Sequence, residues 1–313
     1  MNLLKRRLPC LAVALLTLFT CIVSTACAAA RNISDNRLNV TVTTTMLLDL
    51  TRQIGGGCVN VQGLMGSGID PHQYRASAVD VIKMQQADVV IYSGLHLEGK
   101  MGEVISSLEG CGKTVICAAD GIDESLLIQN DGVYDPHIWF DVSLWKLAAK
   151  EVASGLSAAD PANAAAYENN LLSYTQQLEE LEQYIRARAE ELNEEQRVLI
   201  TAHDAFGYFG RAYGFTVMGL QGVSTAAEAG TSDVSRLAAF IAENRINAVF
   251  VETSLPIKSI EALQEAVQAR GFETTLGGTL YSDSLGDEAN GENTYINAFK
   301  HNIDVIADGL KGD

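Results

Sequence analysis

The 313-residue sequence predicts a two-lobed α/β protein, in which each lobe is a mainly parallel sheet flanked by helices and one long backbone helix joins the lobes. Three observations predict this fold. Short runs rich in Val or Ile alternate with helical stretches, this alternation occurs in two separate sets, and one long helical pattern lies between them. The length is also sufficient for two domains of ordinary size.

The first set of elements predicts an N-terminal lobe over residues 38–159. Its strand-like runs are short and bounded by loops, and helical stretches separate them, which is the rhythm of βαβ units. The expected strands are 38–43, 59–65, 88–92 and 114–118, and the expected helices are 46–54, 77–86 and 99–108.

A linking helix is expected over residues 160–194, with Asp160 as its cap and Pro161 in its first turn. Running to about residue 192, it would be roughly 45 Å long. A coiled-coil dimerisation helix is the alternative. We favour a stiff spine between the lobes and a monomeric protein. The predicted apolar stripe consists of Tyr167, Leu171, Tyr174, Leu178, Leu181 and Ile185.

The second set predicts a C-terminal α/β lobe over residues 195–313. Its strands and helices alternate as in the first lobe, which again favours a parallel sheet. The expected strands are 198–202, 215–220, 248–252 and 274–281, and the expected helices are 206–213, 231–244 and 257–270.

The N-terminus has the order of a secretory signal, which we assign to residues 1–26. Three basic residues precede the apolar run 8–23, and small residues follow it. A membrane-spanning helix is the alternative, but the run is short for about 20 residues of span. Cys27 is the expected site of lipid acylation, with Cys21 as a weaker competitor, and residues 27–37 are expected to form a tether.

The charge and the cysteines narrow the function classes. The formal charge is −17, and it becomes near −20 when the three basic residues of the signal are removed. This balance argues against nucleic-acid binding, which needs clustered Lys and Arg. No CxxC pair is present, so a cysteine-based metal site is disfavoured. Export permits a disulfide, for which Cys58 and Cys111 are the better pair, and three free thiols including Cys117 are the alternative.

Four residues are candidates for a metal site: His72, His137, His203 and Asp283. Each lies at or shortly after the end of a strand-like run, or in a loop there, and their separations are 65, 66 and 80 residues. Ligands of parallel α/β proteins gather at the carboxyl ends of strands. Three imidazoles and one carboxylate suit a divalent transition metal. The sequence therefore predicts a metal site between the two lobes.

Neighbouring residues are expected to support this site. Pro precedes both His72 and His137, which fixes the backbone φ and stiffens the turn. We expect Asp70 and Asp135 to be turn residues or to hydrogen-bond the ligands. Tyr74 and Trp139 are expected to pack around the site and exclude water.

Seven segments make the resemblance to a known family specific. The chain resembles the cluster A substrate-binding lipoproteins of zinc, manganese and iron ABC transporters over nearly its whole mature length. The resemblance implies a bacterial, extracytoplasmic, lipid-anchored receptor that hands a metal ion to a membrane permease, with His72, His137, His203 and Asp283 as ligands. It also implies a structural role for His96, whereas His301 is expected at the surface. The segments are DPHQY (70–74), GLHLEGKM (94–101), DPHIWFD (135–141), TAHDAFGYFGRAYGF (201–215), STAAEAGT (224–231), VFVETS (249–254) and LYSDSLG (280–286).

The resemblance leaves the metal open. Manganese-selective relatives often have an acid at the position of His203, and this chain departs from that pattern. The stretches 224–234 and 249–256 are nevertheless similar to the manganese and iron branch, and a bidentate Asp283 would accommodate those ions. We therefore order the metals as manganese, zinc and iron.

Two other functions stay open at this point. A zinc hydrolase would need an open coordination position and a general base, and the chain has no HExxH motif. A metal-bearing surface adhesin is the other alternative. We expect a carrier and no enzyme.

Overall fold

A computed structural model describes residues 37–130 and 132–311. The expected signal segment, Cys21 and Cys27 therefore lie outside the described residues. Within the described ranges, no helix combines the length and apolarity needed to cross a membrane.

The first half of the described chain contains a four-stranded parallel sheet with strand order β2-β1-β3-β4. The register of β1 places Val40 beside Val61 of β2 and Val89 of β3, so both edges of β1 are paired. This confirms the predicted βαβ arrangement. The elements are β1 (Leu38–Val42), α1 (Thr45–Gly55), β2 (Val59–Gly63), α2 (Ala78–Gln86), β3 (Val89–Tyr92), α3 (Gly102–Gly110) and β4 (Thr114–Cys117).

A short hairpin and a helix that were not predicted from the sequence follow β4. Strands β5 (Gln129–Asn130) and β6 (Val133–Tyr134) form a short antiparallel hairpin directly before His137. Asp141 caps the N-terminus of helix α4 (Val142–Ala159), because its side chain accepts a hydrogen bond from the Ser143 backbone N–H. Its buried face includes Trp145, so the helix belongs to the core.

The predicted long helix is present as α5 (Ala164–Glu190), which is about 40 Å long. A short 3₁₀ turn at Pro161–Asn163 precedes it. Asp160 makes no capping bond to this backbone; its carboxylate accepts from the hydroxyl of Tyr167 at 2.8 Å and from Asn163 Nδ2 at 2.7 Å. All of the predicted stripe is buried except Leu171, which is partly buried. Because helices of this same chain cover the stripe, α5 is a spine inside the protein.

The second half is again α/β with parallel strand pairs. Strand β7 pairs with β8, β9 pairs with β10, and β7 lies beside β9. The α/β class with parallel sheets, flanking helices and one long helix is thus confirmed. The elements are β7 (Val198–His203), α6 (Gly207–Tyr213), β8 (Thr216–Gln221), α7 (Thr231–Asn244), β9 (Ala248–Glu252), α8 (Lys258–Gln268), β10 (Thr275–Leu280) and α9 (Tyr295–Lys311).

The largest apolar cluster joins the two halves. It contains residues of β1 and α4, the buried face of α5, and Tyr295 and Phe299 of α9. The rings of Trp145 and Tyr295 stack at 5.2 Å, which links α4 to α9. Cys58, Cys111 and Cys117 are free thiols, so the disulfide between the first two is not formed.

Candidate metal centre

Both DPH tripeptides fold into the same turn. An oxygen of Asp70 accepts the His72 backbone N–H at 2.8 Å, and an oxygen of Asp135 accepts the His137 backbone N–H at 2.9 Å. Each aspartate therefore fixes the backbone that presents the histidine two residues later. This confirms the expected turn role of the two aspartates.

The other two candidates lie at strand ends. His203 is the last residue of β7, and Asp283 follows β10 by three residues. Gly219 of β8 makes this arrangement possible, because a Cβ there would lie 2.3 Å from the backbone nitrogen of Asp204. The carboxyl ends of parallel strands thus bring the two side chains to one edge, as predicted.

The four predicted residues converge to one point. One ligand atom from each of His72, His137, His203 and Asp283 lies within 4.8 Å of the others. The Nε2 atoms of His72 and His137 are 3.2 Å apart, and Asp283 carboxylate oxygens lie 3.4 Å from His137 Nε2 and 3.3 Å from His203 Nε2. Four donors at about 2.1 Å around a tetrahedral ion are about 3.4 Å apart. The spacing therefore fits a bound transition metal.

The burial of the four side chains also fits a metal site. Exposure is 0% for His137 and His203, 1% for Asp283 and 6% for His72. His203 Nε2 and both oxygens of Asp283 have no hydrogen-bond partner in the described part of the chain. Buried polar groups normally have a partner or coordinate a metal. A cation at the centre would satisfy all three atoms.

Two further carboxylates hold two of the imidazoles. Asp135 Oδ1 lies 2.7 Å from Nδ1 of His137, and Glu252 Oε2 lies 2.6 Å from Nδ1 of His203. The other Glu252 oxygen accepts the His203 backbone N–H at 2.9 Å. A carboxylate at Nδ1 keeps the proton there and directs Nε2 at the metal. Glu252 was not predicted from the sequence, although an acid at the carboxyl end of the apolar strand β9 was a visible signal.

The electrostatics of the first two histidines differ. Burial lowers the pKa of His72 to about 4. Burial acts in the same direction on His137, but the charges of Asp135 and Asp283 outweigh it and raise its pKa to about 9. His72 is therefore neutral at pH 7 in the metal-free protein, whereas His137 is protonated at both ring nitrogens and positively charged.

His203 and Asp283 form an ion pair in the metal-free protein. Burial opposes charge on His203, but Glu252 and Asp283 raise its pKa well above the ordinary value. Burial also opposes charge on Asp283, and its pKa is nevertheless well below the ordinary value because His203 and His137 lie beside it. Protons thus occupy sites that a metal ion would take.

The aromatic neighbours only partly match the prediction. The Trp139 ring packs edge-on against His137 at 5.2 Å, and its Nε1 donates to the carbonyl of Ser282 at 3.0 Å, so it shields the site as expected. The prediction for Tyr74 is wrong: its hydroxyl donates to Asp80 at 2.8 Å, and its ring packs in a separate cluster around Met84.

The remaining two histidines lie apart from the four. His96 is exposed and has φ 64, and no described residue hydrogen-bonds its ring, so a structural role stays a prediction. His301 is half-buried, although a surface position was expected. Its Nε2 lies 3.0 Å from the carbonyl of Thr279 and its Nδ1 lies 3.0 Å from Glu292. His301 thus fastens α9 to β10.

Hydrogen bonds tie the ligand loops together across the sequence. The Gly68 backbone N–H donates to Ser284 Oγ at 2.8 Å, which links the loop of His72 to that of Asp283. Thr225 Oγ1 donates at 2.6 Å to Asp70, which lies on the loop of His72. The loops that carry the candidate ligands His72 and Asp283 are therefore linked, and Thr225 holds the His72 loop from a third segment.

Comparison with known proteins places this arrangement in a family. A sequence model of the family described as zinc-uptake complex component A, periplasmic, matches residues 40–309. The zinc-binding protein TroA of Treponema pallidum (strain Nichols) is 46% identical over 301 residues, which cover 96% of each chain. The manganese-binding lipoprotein MntA of Bacillus subtilis (strain 168) is 43% identical over 298 residues, covering 94% of this chain and 97% of that protein.

The solved structures agree. The structure of the periplasmic zinc-binding protein TroA from Treponema pallidum matches with a TM-score of 0.86 at 46% identity, over 88% of this chain and 99% of that chain. The sequence match and the fold match both span most of the chain. This chain belongs to the zinc-uptake complex component A family of periplasmic metal-binding proteins.

Proposed function

We propose that this chain is the extracytoplasmic substrate-binding component of an ABC transporter, which captures one divalent transition-metal ion and delivers it to a membrane permease. The ligands are His72, His137, His203 and Asp283. The observation that carries the proposal is the convergence of these four buried donors at metal-ligand spacing, with three donor atoms that make no hydrogen bond to a described residue. Relatives named for zinc and manganese binding support it.

We order the metals as manganese, zinc and iron. Three imidazoles and one carboxylate suit Zn²⁺. Both oxygens of Asp283 nevertheless face the centre without a hydrogen-bond donor, which supports bidentate coordination and a fifth donor atom. A fifth donor favours Mn²⁺ or Fe²⁺, because these ions accept more than four oxygen and nitrogen ligands.

We further propose that the chain is divided into a signal segment (1–26), a tether (27–37), two lobes (38–159 and 195–313) and the linking helix (160–194). Acylation of Cys27 would anchor it to the outer face of the bacterial cell membrane, as the lipoprotein name of the Bacillus subtilis relative supports. The covered apolar stripe of α5 supports a monomer.

The carrier is favoured over a zinc hydrolase. A hydrolytic zinc site uses three protein ligands and keeps one position for water. Here a fourth donor lies at the same spacing as the other three, and the family consists of uptake components. An adhesin role stays a prediction, which metal-independent binding to a host surface would support.

Elemental analysis of protein purified without added metal, followed by competitive titration with Mn²⁺, Zn²⁺ and Fe²⁺, tests the function. We expect one ion per chain and a large loss of affinity in His72→Ala. Unchanged affinity of that variant for every metal tested would show that the site is assigned wrongly.

A further inference from the structure

A cavity of 880 Å³ opens beside the metal centre. The β5–β6 hairpin, the turn at Leu95-His96 and the segment 222–224 contribute to its walls. His72 is the only one of the four ligands that lines it, and it is also the most exposed of the four. An ion that arrives through this cavity therefore meets His72 first.

The centre itself has no room for a hydrated ion. Four pairs of its donor atoms lie 3.2 to 3.7 Å apart and all four residues have a donor atom within 4.8 Å of the others, so an ion between them contacts the donors directly. A hydrated ion must therefore lose its water before it reaches the centre. The adjoining cavity is large enough for an ion with its water shell.

Asp204 contributes the only carboxylate among the described residues on the walls of this cavity. It is half-buried, and no described residue donates a hydrogen bond to its side chain. Its backbone is fixed, because its N–H donates to the Gln221 carbonyl at 3.2 Å and Gly219 packs directly against it. The Asp204 carboxylate therefore has a fixed backbone and no donor among the described residues, so it is available to a cation in the cavity.

His96 lies on the walls of the same cavity. Gly94, Leu95 and His96 all have positive φ values, of 91, 52 and 64. Leu and His rarely adopt this conformation, and it persists only where surrounding contacts fix it. The buried carboxylate of Glu98 supplies such a contact, since it accepts the Gly94 backbone N–H at 3.3 Å, and the Leu97 N–H donates to the Gly94 carbonyl at 3.0 Å. The turn thus holds an unpartnered imidazole at the cavity.

We propose that Asp204 and His96 form an outer binding site for a hydrated divalent transition-metal ion on its way between solvent and the four-residue centre. The proposal rests on the proposed function. The Asp204 carboxylate attracts the hydrated ion, and the His96 imidazole replaces one of its water molecules. His72 then replaces another as the ion moves inward.

Stopped-flow binding of Mn²⁺ or Zn²⁺ to the metal-free protein tests the outer site. In Asp204→Asn the association rate is expected to fall on the order of five- to tenfold at low salt, because one negative charge near a divalent cation is lost. Added salt is expected to reduce this difference. In His96→Gln the rate is expected to fall without a change in salt dependence. In both variants dissociation slows as well, so the dissociation constant changes less than either rate.

Glu228→Gln is the matched control, because Glu228 lines a neighbouring cavity with Gln73 and Thr225. Slower association in the Asp204 and His96 variants, with wild-type rates in the control and one ion bound in each, supports the outer site. Wild-type association rates in both variants would overturn it, as would a change in dissociation alone. Failure of the unmodified protein to bind metal would overturn the proposed function and the outer site with it.

Discussion

The Glu252→Gln substitution isolates what the carboxylate behind His203 contributes. Glu252 Oε2 lies 2.6 Å from His203 Nδ1, and Oε1 accepts the His203 backbone N–H at 2.9 Å. Glutamine has nearly the same shape and retains one acceptor, but it carries no charge. The variant therefore loses the charge-assisted contact that directs Nε2 of His203 at the ion.

Loss of such a supporting contact costs tenfold to hundredfold in metal affinity, or about 1.4 to 2.8 kcal/mol. The loss is expected to depend on pH. Glu252 also raises the pKa of His203, so the unmodified protein must release that proton when metal binds. The variant has a smaller proton penalty, and the difference in affinity is therefore largest at pH 8 and shrinks towards pH 6.

Competitive titration with Mn²⁺ and Zn²⁺ at several pH values measures this effect. Asp49→Asn is a suitable control, because Asp49 is a buried carboxylate that accepts the Tyr295 backbone N–H and is not among the four ligands. Equal affinities of Glu252→Gln and the unmodified protein at pH 8, in a folded variant, would refute the reasoning.

Three further predictions follow from the same geometry. His203→Glu replaces a nitrogen donor by a carboxylate, and competitive titration is expected to show a lower ratio of Zn²⁺ to Mn²⁺ affinity; an unchanged ratio would contradict it. Metal binding at pH 7 is expected to release one proton each from His137 and His203, whose pKa values are raised, and none from His72, whose pKa is lowered to about 4. Metal affinity is therefore expected to fall with falling pH. Calorimetry in buffers of different ionisation enthalpy counts the released protons. Trp139→Phe removes the hydrogen bond to Ser282, so thermal denaturation is expected to show about 1 kcal/mol less stability. Stopped-flow measurements are expected to show a faster loss of metal. Unchanged values of both would contradict this prediction.

The parts of the fold that could be predicted depend on local pattern. The alternation of strands and helices follows from residue periodicity, and the stripe from Tyr167 to Ile185 identified α5. The hairpin before His137 was missed because strands of two residues leave no periodic signal. Helix α4 was missed although its apolar residues, among them Trp145 and Leu156, share one buried face.

The convergence of His203 and Asp283 could be predicted because parallel strands gather their carboxyl ends at one edge. His137 instead follows the antiparallel β5–β6 hairpin, so its position was indicated by the DPH tripeptide that it shares with His72 and by the family resemblance. The contacts that support these residues could not be predicted from the sequence. Glu252 reaches His203 from a different strand, and nothing in the spacing of the two residues shows that contact. Tyr74 follows a ligand closely in sequence, yet its side chain turns towards Asp80, because the direction of a loop side chain depends on tertiary packing.

We propose that one transition-metal ion binds between His72, His137, His203 and Asp283. Anomalous diffraction at the manganese absorption edge, from crystals of the Mn²⁺-loaded protein, tests it most directly. We expect one strong peak within about 2.0 to 2.3 Å of the three Nε2 atoms and of the Asp283 carboxylate. A peak elsewhere, or the absence of one or more of these four residues from the coordination shell, would contradict it.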